Sequence, residues 1–148
     1  DSSTSRGLGD VYKRQDLYRI IYLLLLSTMT DTFALITGKL VGKHKLVPKI
    51  SPNKTIEGLL GGVIMGTFIA SSFYHVFINP TISLVMIILI TTALSIVGQI
   101  GDLVFSMIKR YYNKKDFSNL IPGHGGILDR FDSIIFIALA FILVADIL

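Results

Sequence analysis

Long apolar runs alternate with short polar segments along most of this chain. Four stretches, residues 17–36, 56–78, 81–101 and 131–148, approach the about 20 mostly apolar residues that a helix needs to cross a bilayer. The third of them is apolar on all sides, which is typical of a helix that faces lipid or is fully buried. The pattern predicts an all-α fold, a polytopic membrane bundle with about four transmembrane helices.

Composition favours this membrane bundle over a soluble helical bundle. Hydrophobic residues make up 51% of the chain and charged residues 16%, whereas an ordinary soluble domain has about 25% charged residues. The mean hydropathy is +0.66. The chain has no cysteine, which excludes a disulfide framework and a thiolate metal site.

Residues 1–16 differ from the remainder of the chain. They are polar, rich in small residues and without apolar periodicity, so they fit neither a secretory signal nor a first span. We expect a disordered or non-native tail, similar to translated adaptor sequence. Residues 17–148 would then form the membrane-embedded part.

Loop lengths and loop charges predict the orientation of the helices. The Asn79-Pro80 pair leaves room only for a tight hairpin between the second and third stretches. Loops 38–55 and 106–130 then share the other side of the membrane, and each carries five lysine or arginine residues. The positive-inside rule places both loops in the cytoplasm. With both loops in the cytoplasm, the first stretch would start outside the cell, yet the basic residues Lys13, Arg14 and Arg19 flank that start. We therefore expect either that the tail is foreign or that further spans precede it in the parent protein.

Three carboxylates lie within or at the ends of the apolar stretches. They are Asp31, Glu57 and Asp102. Because an ionised side chain in a bilayer costs a few kcal/mol, each is a candidate functional residue. Hydration at the membrane interface explains Asp31 and Glu57 equally well.

Further aspartates surround Asp102 in the predicted arrangement. Asp129 and Asp132 are three residues apart and share one helix face if the fourth helix begins near residue 128. Carboxylates that converge from two helix ends suit a hard cation such as Mg²⁺, which is usually held by one or two carboxylates and substrate phosphates.

The polar segment between the last two stretches carries groups that suit phosphate. In PGHGG, which starts at residue 122, Gly125 and Gly126 allow a sharp turn that presents N–H groups to an anion, although a plain turn explains them as well. His124 could orient, protonate or hydrogen-bond a substrate. Basic side chains suit phosphate oxygens, although topology alone also predicts a basic loop; they are Lys109, Arg110, Lys114, Lys115 and Arg130.

The earlier loop offers similar chemistry. The run ISPNKTIEGLLGG, from residue 50, supplies a lysine, a hydroxyl and an acid in Lys54, Thr55 and Glu57. It can form a helix cap or the opposite wall of a nucleotide site. The glycines that follow permit close helix packing.

The run SMIKRYYNKKDFSNLIPGHGGILDRFD, residues 106–132, resembles the signature of the phosphatidate cytidylyltransferases, also called CDP-diacylglycerol synthases. The segments DTFALITGK, HKLVPKISPNKTIEGLLGG and GQIGD resemble other regions of that family. The resemblance covers residues 17–148, roughly the C-terminal half of such an enzyme, and implies that N-terminal helices of the parent protein are missing. Phe105 departs from the pattern, since many members carry an acid at this position.

The resemblance implies an enzyme that transfers CMP from CTP to phosphatidate for phospholipid biosynthesis. Asp102 and Asp129 would hold Mg²⁺, with Asp132 in support. The partners would be CTP, phosphatidate and membrane lipid, without nucleic acid; a homodimer stays open. The expected location is the bacterial inner membrane, with the active-site loops in the cytoplasm.

The predicted site divides into catalytic and substrate-binding residues. The catalytic group is Asp102, Asp129, Asp132, Lys109, Arg110 and His124. Substrate contacts are expected from Ser51, Asn53, Lys54, Thr55, Glu57, Ser106, Lys115, Gly125, Gly126 and Arg130.

Two other functions are compatible with parts of the pattern. A CTP-dependent lipid alcohol kinase would transfer the γ-phosphate and release CDP. A transporter bundle would place acids along one stripe through the membrane, whereas here the acids gather at the ends of the spans beside basic loops.

Overall fold

A computed structural model describes residues 2–114 and 125–148, with side chains placed for residues 7, 9–114 and 131–148. Four helices and one β-hairpin make up this part of the chain. In chain order the elements are α1 Ser2–Val41, β1 Lys45–Val47, β2 Ser51–Thr55, α2 Ile56–Phe77, α3 Leu84–Tyr111 and α4 Gly125–Val144.

Within the described residues, three helices are long and apolar enough to cross a membrane. They are Gly9–Val41 of α1, α2 and α3. Helix α4 contains a shorter apolar segment, Phe131–Val144. The prediction of an all-α integral membrane bundle is confirmed, and each of the four predicted stretches coincides with one helix.

The N-terminal segment differs from the sequence expectation. Residues 2–16 are not an irregular tail, because they form the first turns of α1. Adding residues to an existing helix is much easier than nucleating a new one, and this segment contains no proline. The foreign origin of the segment stays a prediction.

Helix α3 is longer than predicted. It continues to Tyr111, so Ser106, Lys109 and Arg110 lie on a helix and not in a loop. The helix ends where Asn113 adopts a left-handed conformation with φ 54°. The N–H groups of Asn113 and Lys114 donate to the carbonyls of Arg110 (3.0 Å) and Lys109 (2.9 Å), which is the Schellman pattern of a helix C-terminus.

Helix α2 packs closely along α1 through its glycines, as the sequence predicted. A Cβ atom on Gly58 would lie 2.6 Å from the carbonyl oxygen of Ala34, and one on Gly62 would lie 2.5 Å from that of Thr30. Small residues let two membrane helices approach this closely. Near the opposite end of the bundle, the apolar core includes Tyr22 and Tyr74.

Buried hydroxyl groups link α1 to α3. The Tyr22 hydroxyl lies 2.8 Å from Thr91 Oγ1, and Thr30 Oγ1 lies 3.0 Å from Ser95 Oγ. Such bonds between membrane helices contribute about 1 kcal/mol each.

A short antiparallel hairpin connects α1 to α2. The run Ser51-Pro52-Asn53 has the composition of a turn, whereas the structure places it in β2 and the turn before it. Thr55 then caps α2, because its side chain accepts a hydrogen bond of 3.1 Å from the Gly58 N–H. The hairpin therefore presents its second strand directly before the first turn of α2.

Candidate active site

An open cavity of about 340 Å³ lies where the hairpin meets the four helices. We call it the acidic cavity, since three of its lining residues are aspartates from three different helices. Its lining consists of Asp31, Ala34, Leu35, Leu46, Ser51, Asn53, Lys54, Thr55, Leu59, Gln99, Asp102 and Asp132.

The three carboxylates have different surroundings. Asp102 of α3 forms an ion pair with Lys54 of the hairpin, and the two side chains are 22% and 23% exposed. Asp132 of α4 is buried, and its carboxyl group is near enough to Asp102 for electrostatic interaction. Asp31 of α1 is open to the cavity. With all three ionised, one lysine leaves an excess of negative charge that attracts cations.

A second cavity of about 490 Å³ borders on the same hairpin. We call it the basic cavity, because Lys109 and Arg110 line it together with Ser106. Ser51 and Asn53 line both cavities. Strand β2 therefore borders both the acidic cavity and the basic cavity.

Helix α3 brings the two compartments together. Asp102, Ser106 and Lys109 are spaced four and three residues apart, which places them along one helix face. Arg110 is held against the hairpin, because its Nε donates a hydrogen bond of 3.2 Å to the Ile50 carbonyl oxygen. This bond connects the last turn of α3 to the hairpin turn.

Most predicted site residues with described side chains meet at these cavities. Glu57 lies elsewhere, at the base of the hairpin. Its carboxylate accepts hydrogen bonds from the backbone N–H groups of Lys43 (3.2 Å) and His44 (3.3 Å) and lies 2.6 Å from the His44 ring. Glu57 thus anchors the start of the hairpin.

Other predicted residues are only partly described. Lys115 and His124 lie outside the described residues. Gly125, Gly126, Asp129 and Arg130 belong to the first turns of α4, and their side-chain surroundings are not described. Their proposed roles stay predictions.

Gln99 is a cavity residue that the sequence analysis did not select. It is 4% exposed, and its Nε2 has no hydrogen-bond partner among the described residues. Its only local signal was its position in GQIGD, three residues before Asp102. Asp31 was noted as an intramembrane acid, but its spacing gave no reason to join it to Asp102.

The acidic cavity suits a hard divalent cation by its chemistry. Carboxylate oxygens are the ligands that Mg²⁺ prefers, and it commonly takes only one or two of them. Among the described side chains, no three acidic or histidine groups are arranged to hold one metal ion. Asp102 and its neighbour Asp132 could supply one or two oxygens, which leaves the remaining positions to water and substrate.

The sequence of this chain is similar to those of known proteins over most of its length. A sequence model of the Cytidylyltransferase family matches residues 9–148. Proteins named phosphatidate cytidylyltransferase are 46% identical in Staphylococcus saprophyticus, 47% in Staphylococcus haemolyticus and 44% in Staphylococcus epidermidis, each over 135 residues. Each alignment covers 88% of this chain and 52% of the relative. The chain thus spans about half the length of the curated relatives it matches.

The family match includes α1 from Gly9 onwards and every later described element. Both cavities thus lie within the region that the family model matches. This chain belongs to the cytidylyltransferase family.

Proposed function

We propose that the full-length protein transfers CMP from CTP to phosphatidate, which yields CDP-diacylglycerol and diphosphate. The main support is the junction of the acidic and basic cavities at Ser51 and Asn53. Such a junction can hold a cation-bound phosphate chain beside a second phosphate. The names of the relatives point to the same reaction.

The chemistry requires no nucleophile from the protein. A phosphate oxygen of phosphatidate attacks the α-phosphorus of CTP. The bond from that phosphorus to the oxygen bridging to the β-phosphate breaks, and diphosphate leaves with the electron pair. The residues therefore have to align two anionic groups and neutralise their charge.

In this proposal the acidic cavity holds the cation side of the reaction. Asp102 and Asp129 bind Mg²⁺, with Asp132 in support. When bound, Mg²⁺ supplies a Lewis acid that offsets the negative charge of the phosphates. The carboxylates of this chain fix its position.

The basic side chains hold the phosphates. Lys109 and Arg110 contact phosphate oxygens in the basic cavity, and Lys54 does so from the hairpin. Ser51 and Asn53 lie between the compartments and can donate to either phosphate group. Arg130 and His124 are expected to complete the site from the start of α4 and the segment before it.

The proposed location is the inner membrane of a bacterium. The hairpin and the end of α3 then face the cytoplasm, where CTP is available. Two observations support this orientation: the positive charge of these segments and their shared cavities.

The test is a micelle assay of the full-length protein with phosphatidate and CTP labelled separately in the α- and γ-phosphates, with and without Mg²⁺. We expect Mg²⁺-dependent transfer of the α-label to lipid and release of the γ-label as diphosphate. In a parallel assay with a lipid alcohol as the acceptor, transfer of the γ-label to lipid would indicate a lipid kinase instead. A folded preparation without any CTP chemistry would overturn the proposal and favour a transporter.

A further inference from the structure

Ser133 of α4 contacts two of the three carboxylates of the acidic cavity. Its Oγ donates a hydrogen bond of 3.1 Å to Asp31 Oδ2 on α1. Its backbone N–H donates a bond of 2.7 Å to Asp132 Oδ1. One residue, only 2% exposed, thus connects carboxylates from two helices.

A second hydroxyl completes this arrangement. Ser27 Oγ lies 2.8 Å from Ser133 Oγ, and Ser27 is 7% exposed. Since Ser133 has only one hydroxyl proton and gives it to Asp31, Ser27 must be the donor in the bond between the two serines. Ser27 and Asp31 lie one turn apart on α1, so Ser133 fits between them from the facing helix.

Hydrogen bonds of this kind fix the direction of a carboxylate. A bond to an ionised acceptor is about twice as strong as a neutral one, and the buried surroundings of both serines strengthen it further. Without the Ser133 hydroxyl, the Asp31 carboxylate could rotate within the open cavity. The backbone bond to Asp132 does not depend on the side chain.

We propose that Ser133 is a positioning residue of the acidic cavity, with Ser27 behind it, and that it aims Asp31 at the cation which Asp102 and Asp132 also face. Asp31 acts on that cation through a bound water, because among the described side chains no three acidic groups are arranged to hold one metal ion. The inference rests on the proposed function for the identity of the cation.

Groups that orient metal-facing ligands typically contribute 10–100-fold to metal affinity. Ser133→Ala removes the hydroxyl and keeps the backbone bond to Asp132, so it isolates the Asp31 contact. Ser133→Thr retains the hydroxyl. Ser95→Ala is a matched control, because it removes a buried hydroxyl bond between α1 and α3 away from the cavity lining.

The experiment uses the full-length protein in micelles and two readouts. The first is the Mg²⁺ concentration that gives half-maximal transfer, and the second is the dissociation constant of Mn²⁺ without substrates, measured by electron paramagnetic resonance. We expect Ser133→Ala to raise both by about tenfold, while the rate at saturating Mg²⁺ changes much less. Ser133→Thr and Ser95→Ala should stay close to wild type.

Unchanged metal dependence in Ser133→Ala would overturn the inference, as would an equal effect of Ser95→Ala. If Ser133→Ala does not fold, Ser27→Ala replaces it and should shift Mn²⁺ binding in the same direction by a smaller factor; no shift again contradicts the inference. A wild-type protein that binds Mn²⁺ but does not use CTP would overturn the proposed function alone, because the Mn²⁺ comparison still tests Ser133.

Discussion

Lys54 and Asp102 are the two residues that join the hairpin to α3 across the acidic cavity. Their ion pair is about three-quarters shielded from solvent, since the side chains are 23% and 22% exposed. A divalent cation and the Lys54 ammonium compete for the same carboxylate. We therefore expect Lys54 to turn from Asp102 towards phosphate oxygens when the cation and CTP are bound.

Replacing Asp102 by asparagine should remove most of the activity. Asp102→Asn keeps the shape of the side chain but loses the charge that holds the cation. Loss of one electrostatic contact in an active site lowers kcat by about 100-fold or more. Initial rates of purified full-length protein in micelles would measure the loss.

The matched control for this change is Asp146→Asn. Asp146 is exposed near the C-terminal end of α4 and lines neither cavity. Its variant should keep nearly the wild-type rate. An Asp102→Asn protein with the same rate as this control would contradict the metal-binding role of Asp102.

Arg110 should be important for substrate affinity. Arg110→Ala loses a charge in the basic cavity and the bond to the Ile50 carbonyl oxygen. Hydrogen bonds to charged groups contribute about 1.5–3 kcal/mol, so the KM for CTP or for phosphatidate should rise about tenfold or more. Separate titrations of the two substrates would show which phosphate occupies this cavity.

Lys43→Ala is the corresponding control, because Lys43 is an exposed basic residue beside the hairpin that lines neither cavity. Arg110→Lys retains the charge but lacks the planar guanidinium, and it should give an intermediate KM. Wild-type KM values for both substrates in Arg110→Ala would show that the basic cavity does not bind substrate phosphate.

The hairpin shows where local sequence is informative. The Thr55 cap and close packing at Gly58 followed from residues next to each other in the chain, and both are present. The role of Glu57 required the fold, because its partners Lys43 and His44 lie on the other side of the hairpin. From sequence alone, an acid in the first turn of a helix is equally compatible with binding substrate and with holding a neighbouring loop in place.

The close packing of α1 and α2 gives a stability prediction. A Cβ on Gly62 would lie 2.5 Å from the Thr30 carbonyl oxygen and 2.7 Å from Ala34 Cβ. Backbone atoms cannot move aside as a flexible side chain can. Overpacking typically costs about 1–3 kcal/mol, so Gly62→Ala should lower the Tm in detergent.

The control is Gly9→Ala, because a Cβ at Gly9 would meet nothing within 4 Å. Alanine favours helix over glycine by about 1 kcal/mol, so this variant should keep the Tm or raise it slightly. Equal Tm values for Gly62→Ala and wild type would mean that α1 and α2 are less closely packed than described.

Across the whole molecule, the sequence identified residues suited to the site better than it identified which distant residues contact each other. The sequence selected Asp102, Ser106 and Lys109 as site residues by their side-chain chemistry, and all three lie on one helix. The bond between Asp31 and Ser133 joins residues 102 positions apart, and no local spacing indicates such a contact. Sequence reasoning therefore found the α3 side of the site and left the α1 side undefined.

Single cysteines can test the orientation of the bundle in the membrane, because residues 1–148 contain no cysteine of their own. Lys49→Cys places a thiol in the exposed hairpin turn beside the cavities, and Thr81→Cys places one in the exposed turn between α2 and α3. The second turn is held by a 3.1 Å bond from the Thr81 N–H to Asn79 Oδ1. This backbone bond does not require the threonine side chain.

Spheroplasts that carry either variant would be treated with a membrane-impermeant maleimide before and after permeabilisation. If the basic segments face the cytoplasm, the cysteine at position 81 should react in intact spheroplasts and the one at position 49 only after permeabilisation. Both variants should keep transfer activity, which verifies the fold. Reaction at position 49 in intact spheroplasts would place the cavities outside the cell, where CTP from the cytoplasm cannot reach them, and would contradict both the orientation and the proposed substrate.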